Sequence, residues 1–168
     1  MKVKYETARL IIRSLNIDDA DFILRLLNEE SFIRNIADKN VRTNADAINY
    51  LIHGPMLSYE VNGFGLNLVV LKSSGTPIGM CGLLKREELE YPDLGYALLP
   101  EFCGRGYARE AASSILQEEA VSCCLNTLLA ITFPDNLSSN KLLKKIGFTL
   151  KGTMELYGLQ NNLYEYRA

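Results

Sequence analysis

Apolar positions repeat along this chain with two alternating periods, and each change of period marks a new element. Residues 9–13 are rich in β-branched side chains and read as a strand. A helix starts near Asp19, capped by Asn16 or Asp18, with Phe22, Ile23, Leu26 and Leu27 on its buried face. A second helix follows Thr43, with Asp46 placed as in a capping box and Ala47, Ile48, Leu51 and Ile52 as its apolar stripe. Residues 31–42, between these helices, are polar and read as irregular. Residues 66–72 and 78–84 are apolar runs of strand length joined by a hairpin loop at 73–77, with Gly79 and Gly82 as candidate bulges. Residues 85–92 form a charged connector.

Residues 93–99 are a further strand, closed by Pro100, which cannot continue a ladder. From Ala108 the apolar positions fall at 108, 111, 112, 115 and 116, one face of a helix that runs from about 106 to 122. Residues 126–132 then read as a strand, so strand, helix and strand form a parallel crossover. A short helix over about 136–146 turns Leu142, Leu143 and Ile146 inward, and Gly147 caps it. Residues 148–156 and 163–166 read as a closing hairpin around a loop at 158–162. The pattern predicts a mixed α/β sheet with helices on both faces.

Length changes the picture only by bounding it: 168 residues suit a single domain, 1–168, with a substantial core. The net charge of −2 and the lack of a basic block argue against broad nucleic-acid binding. No apolar run approaches the length of a membrane span, and residues 1–6 lack the apolar core of a signal peptide. A cytoplasmic location is the expectation. Cys81, Cys103, Cys123 and Cys124 show no metal-ligand spacing and His53 is alone, so no metal site is expected. Cys123 and Cys124 read as reduced small apolar residues.

The chemistry concentrates at Cys103-Gly104-Arg105-Gly106-Tyr107-Ala108, between a strand and a helix start. Glycine lets a backbone approach a ligand closely and permits positive φ. Amides entering a helix are unpaired donors, and the helix dipole adds positive potential there. Such a turn suits a pyrophosphate; it also fits a tight turn that binds nothing. A Walker loop would need Gly-Lys-Ser/Thr, whereas Tyr107 and Ala108 follow Gly106. The dinucleotide fingerprint lacks its third glycine. Cys103 reads either as a passive turn residue or as a thiol acidified by the helix N-terminus.

The run Gly-Tyr-x-Leu-x-Pro-x-x-x-Gly-Arg-Gly-Tyr-Ala-x-Glu-Ala over residues 95–111 resembles motif A of the GNAT superfamily of acyl-CoA N-acyltransferases. It is most similar to the branch that acetylates N-termini of ribosomal proteins. Thr7-Ala8-Arg9-Leu10-Ile11-Ile12-Arg13 resembles the opening strand of that branch, and Asp135-Asn136-Leu137-Ser138-Ser139 with Lys145-Ile146-Gly147-Phe148 resembles its motif B. The resemblance implies a mostly antiparallel mixed sheet with a splayed parallel strand pair. It implies acetyl-CoA as co-substrate, with no metal, and an amine acceptor, either a protein N-terminus or a small molecule. The partner list it suggests holds no membrane, and the protein would be a monomer or homodimer.

By the same resemblance the amides of residues 103–108 hold the pyrophosphate, with Arg105 adding charge. Pantetheine pairs with exposed backbone at Ala97, Leu98 and Leu99, and the Leu98 amide donates to the oxyanion. Asn136 bonds the pantetheine arm. The tyrosine that many members use as an acid is Leu143 here, and Ser139 takes over as donor to the thiolate. Residues 31–42 form a wall against the acceptor or an ordinary connector. For the base, Glu101 sits at the mouth of the splay and Glu155 on a late strand, while Glu88 and Glu90 lie on the connector. The competing reading is an acyl-CoA-binding module without catalysis.

Overall fold

The computed structural model describes residues 3–168. Its strands are β1 (Val3–Glu6), β2 (Leu10–Ser14), β3 (Leu66–Leu71), β4 (Pro77–Leu84), β5 (Asp93–Leu98), β6 (Thr127–Thr132), β7 (Thr149–Leu156) and β8 (Leu159–Arg167). They form one sheet in the order β1-β2-β3-β4-β5-β6-β8-β7. Each neighbouring pair is antiparallel except β5 and β6, which are parallel. The helices are α1 (Ala20–Leu27), α2 (Glu30–Asn35), α3 (Asn44–Leu51), α4 (Leu57–Asn62), α5 (Tyr107–Ser114), α6 (Ala120–Ser122) and α7 (Leu137–Lys145). A π-helical turn, Ile52–Met56, joins α3 to α4, and another, Ile115–Glu119, joins α5 to α6.

The period of two decides which face each strand residue covers. Leu66, Leu68 and Val70 of β3 pack with Ile23, Leu26 and Leu27 of α1 and Ala47 and Leu51 of α3. On the other face, Leu10, Ile12 and Val69 pack with Ala111, Ala112, Ile115 and Leu116 of the α5 body. Two alanines at that contact let the helix lie close to the sheet. Along β4 the parity breaks: Ile78 lies on the same face as Cys81 and Leu83. The register against β3 shifts at this point, from Val69↔Gly79 to Val70↔Pro77. This is the bulge expected beside Gly79, and it turns the strand over. Gly82 has a different reason, because a Cβ there would lie 2.1 Å from the Gly65 carbonyl oxygen.

Polar side chains fix the helix starts. Asn16 and Asp19 form a capping box ahead of α1, and Thr43 and Asp46 form one ahead of α3. Arg13 of β2 donates to both carboxylate oxygens of Asp19, at 2.9 and 2.7 Å, tying the strand to the cap.

Four expectations change. Residues 3–6 form an edge strand, although only 9–13 read as one. Residues 31–42 are not wholly irregular: α2 forms around Phe32, which is 4% exposed, so one buried ring orders a segment too short to show a period. The helix after Thr43 passes through Pro55, because the wider π-helical turn accommodates a residue without an N–H. The last hairpin turns at Tyr157 and Gly158, with φ of 52° and 78°, so β8 begins at Leu159 rather than 163. Positive φ at both turn positions is the type I′ geometry that suits strand twist.

Candidate active site

The parallel pair opens at its C-terminal end. β5 and β6 are in register at Asp93↔Leu129, where the Leu129 amide donates to the Pro92 carbonyl, and not beyond. From there to Leu98 the β5 edge that faces β6 carries unpaired backbone groups. Strand alternation says which ones. The Leu99 amide donates to the Ile78 carbonyl of β4 at 2.8 Å, so the Leu98 and Tyr96 amides point into the gap. The Ala97 carbonyl and the Leu99 amide, at two of the positions expected to meet the arm, turn to β4, and the Leu99 carbonyl accepts from the Phe102 amide. A Cβ at Gly79 would meet the Ala97 carbonyl oxygen, which confirms that direction. Within the gap a peptide-like arm would find donors and acceptors at strand spacing.

Past β5 the chain makes a 3₁₀ turn, Pro100–Phe102, and then the glycine turn. Gly104 and Gly106 have φ of 76° and 81°. Gly106 is the N-cap of α5 and no side chain caps it; the first amide with a partner in the helix is that of Glu110, bonded to the Gly106 carbonyl. The amides of Tyr107, Ala108 and Arg109 are therefore free and aligned with the dipole of a helical body that runs to Ser122. The Cys103 amide is not free, because it donates to the Pro100 carbonyl at 3.1 Å. Gly104 and Arg105 are exposed, as is most of the turn. The Cys103 thiol is also not acidified: partial burial and the Glu101 carboxylate push its pKa up.

An ion-pair clamp from the β1–β2 corner holds this turn. Arg9 donates from Nε to Glu110 Oε1 at 2.8 Å and from Nη1 to the Arg105 carbonyl at 3.0 Å. Its guanidinium lies over the Tyr107 ring, 4.3 Å from the centroid. Glu110 also accepts from the Thr7 hydroxyl and from the Arg9 amide. Desolvation works against the charge on Glu110, but these bonds outweigh it and hold its pKa below the usual value. Sequence reasoning quoted Thr7, Arg9 and Glu110 and gave them no role.

The other wall of the gap is α7. Asn136 is its N-cap: Oδ1 accepts from the Ser139 amide at 3.5 Å, which leaves Nδ2 free to donate. Ser139 lies on the first turn, and its Oγ is 2.5 Å from the Tyr96 hydroxyl of β5. Asn140 pins the helix to the sheet, accepting from Thr132 and from Tyr164 and donating to the Pro134 carbonyl. Leu143 is 1% exposed in the core, as an apolar residue should be. Tyr96 is the site residue that sequence reasoning passed over. It stood in the Gly95-Tyr96 pair of the glycine motif, but only the fold shows that its hydroxyl crosses the gap.

The carboxylates separate. Glu101 accepts from Arg25 of α1 at 2.7 Å, and that bond holds its pKa below the usual range. Glu88 accepts from the Tyr157 hydroxyl, and the Glu90 carbonyl oxygen accepts from Lys85. Glu155 is exposed on β7 opposite Gln160. Gln160, Leu159, Phe133, Pro134, Asp135 and Arg34 line an open concavity of about 350 Å³, so Glu155 stands beside a groove with both charges and apolar walls.

A mixed sheet whose one parallel pair opens onto an uncapped helix N-terminus belongs to the class of α/β domains that offer backbone donors to an anionic ligand. Residues 9–149 match the family described as the acetyltransferase (GNAT) domain. The chain belongs to this family and is an acetyltransferase. It is 28% identical over 158 residues to the uncharacterized N-acetyltransferase YoaA of Bacillus subtilis (strain 168), covering 93% of this chain and 88% of YoaA. Its fold is that of the microcin C7 self-immunity acetyltransferase MccE, solved with acetyl-CoA and AMP: TM-score 0.82, 20% identity, 96% of this chain and 94% of that one. The ribosomal L7/L12 alpha-N-protein acetyltransferase RimL, solved with coenzyme A, has a TM-score of 0.83 at 16% identity over 99% of this chain and 98% of that one. Among the described residues no helix is long and apolar enough to cross a membrane.

Proposed function

We propose that this protein transfers the acetyl group of acetyl-CoA directly to an amine, with the α-amine of a protein N-terminus or a small-molecule amine as acceptor. One observation carries the reading: the unpaired β5 edge leads straight to the free amides of α5, so one ligand can satisfy both. Coenzyme A has the matching parts, a pyrophosphate and an arm of two amides. MccE, solved with acetyl-CoA, and RimL, solved with coenzyme A, share the fold and support the choice of donor.

The residues then divide the work. The Gly104–Ala108 turn binds the pyrophosphate through backbone amides. Asn136 Nδ2 donates to a pantetheine carbonyl. The Leu98 amide donates to the carbonyl oxygen as negative charge develops on it. Ser139 donates to the sulfur as the carbon–sulfur bond breaks. The amine must lose a proton, and Glu155 takes it through water, because Glu101 is held by Arg25. The groove beside Glu155, with Arg34 and Asp135 among apolar walls, suits a short peptide end, and the likeness to RimL agrees with that acceptor.

Thiol release from acetyl-CoA, measured against a panel of N-terminal peptides, polyamines and amino acids, tests the reading. Amine-dependent thiol release with a matching acetylated product supports it. Tight coenzyme A binding with no release for any amine replaces it with an acyl-CoA-binding module.

A further inference from the structure

The contact between Tyr96 and Ser139 joins the two walls of the gap, β5 and α7, at the point where they diverge. Tyr96 packs its ring against the core on the α5 side of the sheet. Burial raises its phenol pKa above the usual range, so it keeps its proton at physiological pH. The titratable groups that face it are Cys81, opposite it on β4, and Tyr164 on β8. Burial raises the pKa of both, so neither places a charge beside it.

A hydroxyl has one proton and two lone pairs. Either oxygen of the pair can be the donor by geometry alone. If Ser139 donates to Tyr96, its proton is spent and it can do nothing for a ligand. If Tyr96 donates, one lone pair of Ser139 is filled and its proton must point elsewhere. Among the described residues Ser139 Oγ has no second hydrogen-bond partner, so that proton is directed into the gap. A buried phenol with Ser139 as its one acceptor favours the second arrangement.

We propose that Tyr96 is a positioning residue that fixes the Ser139 hydroxyl as a donor toward the sulfur of coenzyme A; this rests on the acetyltransfer reading above. In the step it serves, the amine nitrogen bonds to the acetyl carbon and the carbon–sulfur bond breaks with its electron pair on sulfur. The Ser139 proton hydrogen-bonds that thiolate without leaving oxygen, and Tyr96 stays protonated. The proton lost by the amine passes through water to Glu155, and the thiolate takes one up from solvent on release.

Tyr96→Phe keeps the ring and removes the hydroxyl. The expected result is a fall in kcat of about tenfold, with KM for acetyl-CoA within about twofold of wild type and the melting temperature nearly unchanged. Ser139→Ala should lower kcat further, and the double variant should be no slower than Ser139→Ala, because Tyr96 acts through Ser139. A second readout needs no turnover: the thiol of coenzyme A bound to wild type, followed by the ultraviolet absorbance of the thiolate, should ionise below its free value. Tyr96→Phe should return it toward the value of free coenzyme A measured in the same buffer. Unchanged kcat and unchanged thiol ionisation in Tyr96→Phe overturn the proposal, and so does a double variant whose losses multiply. If Tyr96→Phe misfolds, fluorotyrosine at position 96, a stronger donor of nearly the same shape, should lower the thiol pKa further, and no change overturns the proposal. A wild type that binds coenzyme A but acetylates nothing sinks the acetyltransfer reading alone, since the thiol titration still decides the role of Tyr96.

Discussion

Gly106 has a φ of 81°, and a Cβ built there lies 3.3 Å from Arg9 Nη2. A side chain at this position adds backbone strain of about 1–3 kcal/mol, crowds the clamp and fills the space over the free amides. Gly106→Val should therefore weaken coenzyme A binding by more than about tenfold by calorimetry. Gly104 separates strain from obstruction, because its φ is 76° but nothing lies within 4 Å of its Cβ position. Gly104→Ala should lower the melting temperature by a similar few degrees and spare more of the affinity. Equal affinity in Gly106→Val and wild type would remove the pyrophosphate assignment. Asn136 caps α7, and in the proposed reading its Nδ2 also holds the pantetheine arm. Asn136→Ala should lower stability by about 1 kcal/mol through the lost cap and weaken coenzyme A as well. Asn136→Ser restores a cap but not the amide donor, so it should recover melting temperature and not affinity.

At the scale of elements, the clamp Thr7–Arg9–Glu110 couples the β1–β2 corner to the start of α5. Glu110 has its pKa held below the ordinary 4.5, by bonds that outweigh desolvation. A depressed carboxylate stabilises the fold above its unfolded pKa, and that contribution is lost as pH falls through the folded value. Wild type should lose melting temperature on acidification below about pH 4.5, and Glu110→Gln should be less stable at pH 7 and flatter across that window. Identical acid profiles would show that the clamp contributes nothing. The strands and helices that carry this clamp were legible, because their apolar stripes have a clear period: α1, α3, β3, β4, β5 and α7 stand where residues such as Ile23, Ala47 and Leu143 placed them. Phe32 and Pro55 mark where pattern failed, since a short helix and a π-helical turn depend on tertiary contacts rather than on local period. The glycine turn was legible as well. Tyr96 was not, nor was the pairing of Arg9 with Glu110, because contacts across 43 and 101 residues leave no trace in spacing.

At the scale of the whole molecule, a carboxylate is buried in the core face away from the gap. Glu119, in the π-helical turn after α5, is 1% exposed, accepts from Asn67 at 3.2 Å and lies 3.7 Å from Lys4. Desolvation raises its pKa despite these partners. A raised carboxylate favours the fold below its unfolded pKa, and that advantage is lost as pH rises through the folded value. Glu119→Gln should therefore gain in melting temperature relative to wild type at pH 8 and show no gain at pH 4. A gain at pH 4 and none at pH 8 would reverse the sign of this account. The sheet, the gap and the turn together make the central claim, direct transfer with both substrates bound at once. Cys103 is the thiol to exclude as a carrier. It sits beside the turn, whereas a nucleophile must come within roughly 3–3.5 Å of the carbon it attacks. The decisive measurement is initial-rate analysis with acetyl-CoA and a responding amine, run on wild type and Cys103→Ser. Intersecting double-reciprocal lines, with most activity retained in Cys103→Ser, are the predicted result; parallel lines with an acetyl group trapped on Cys103 by mass spectrometry would contradict it.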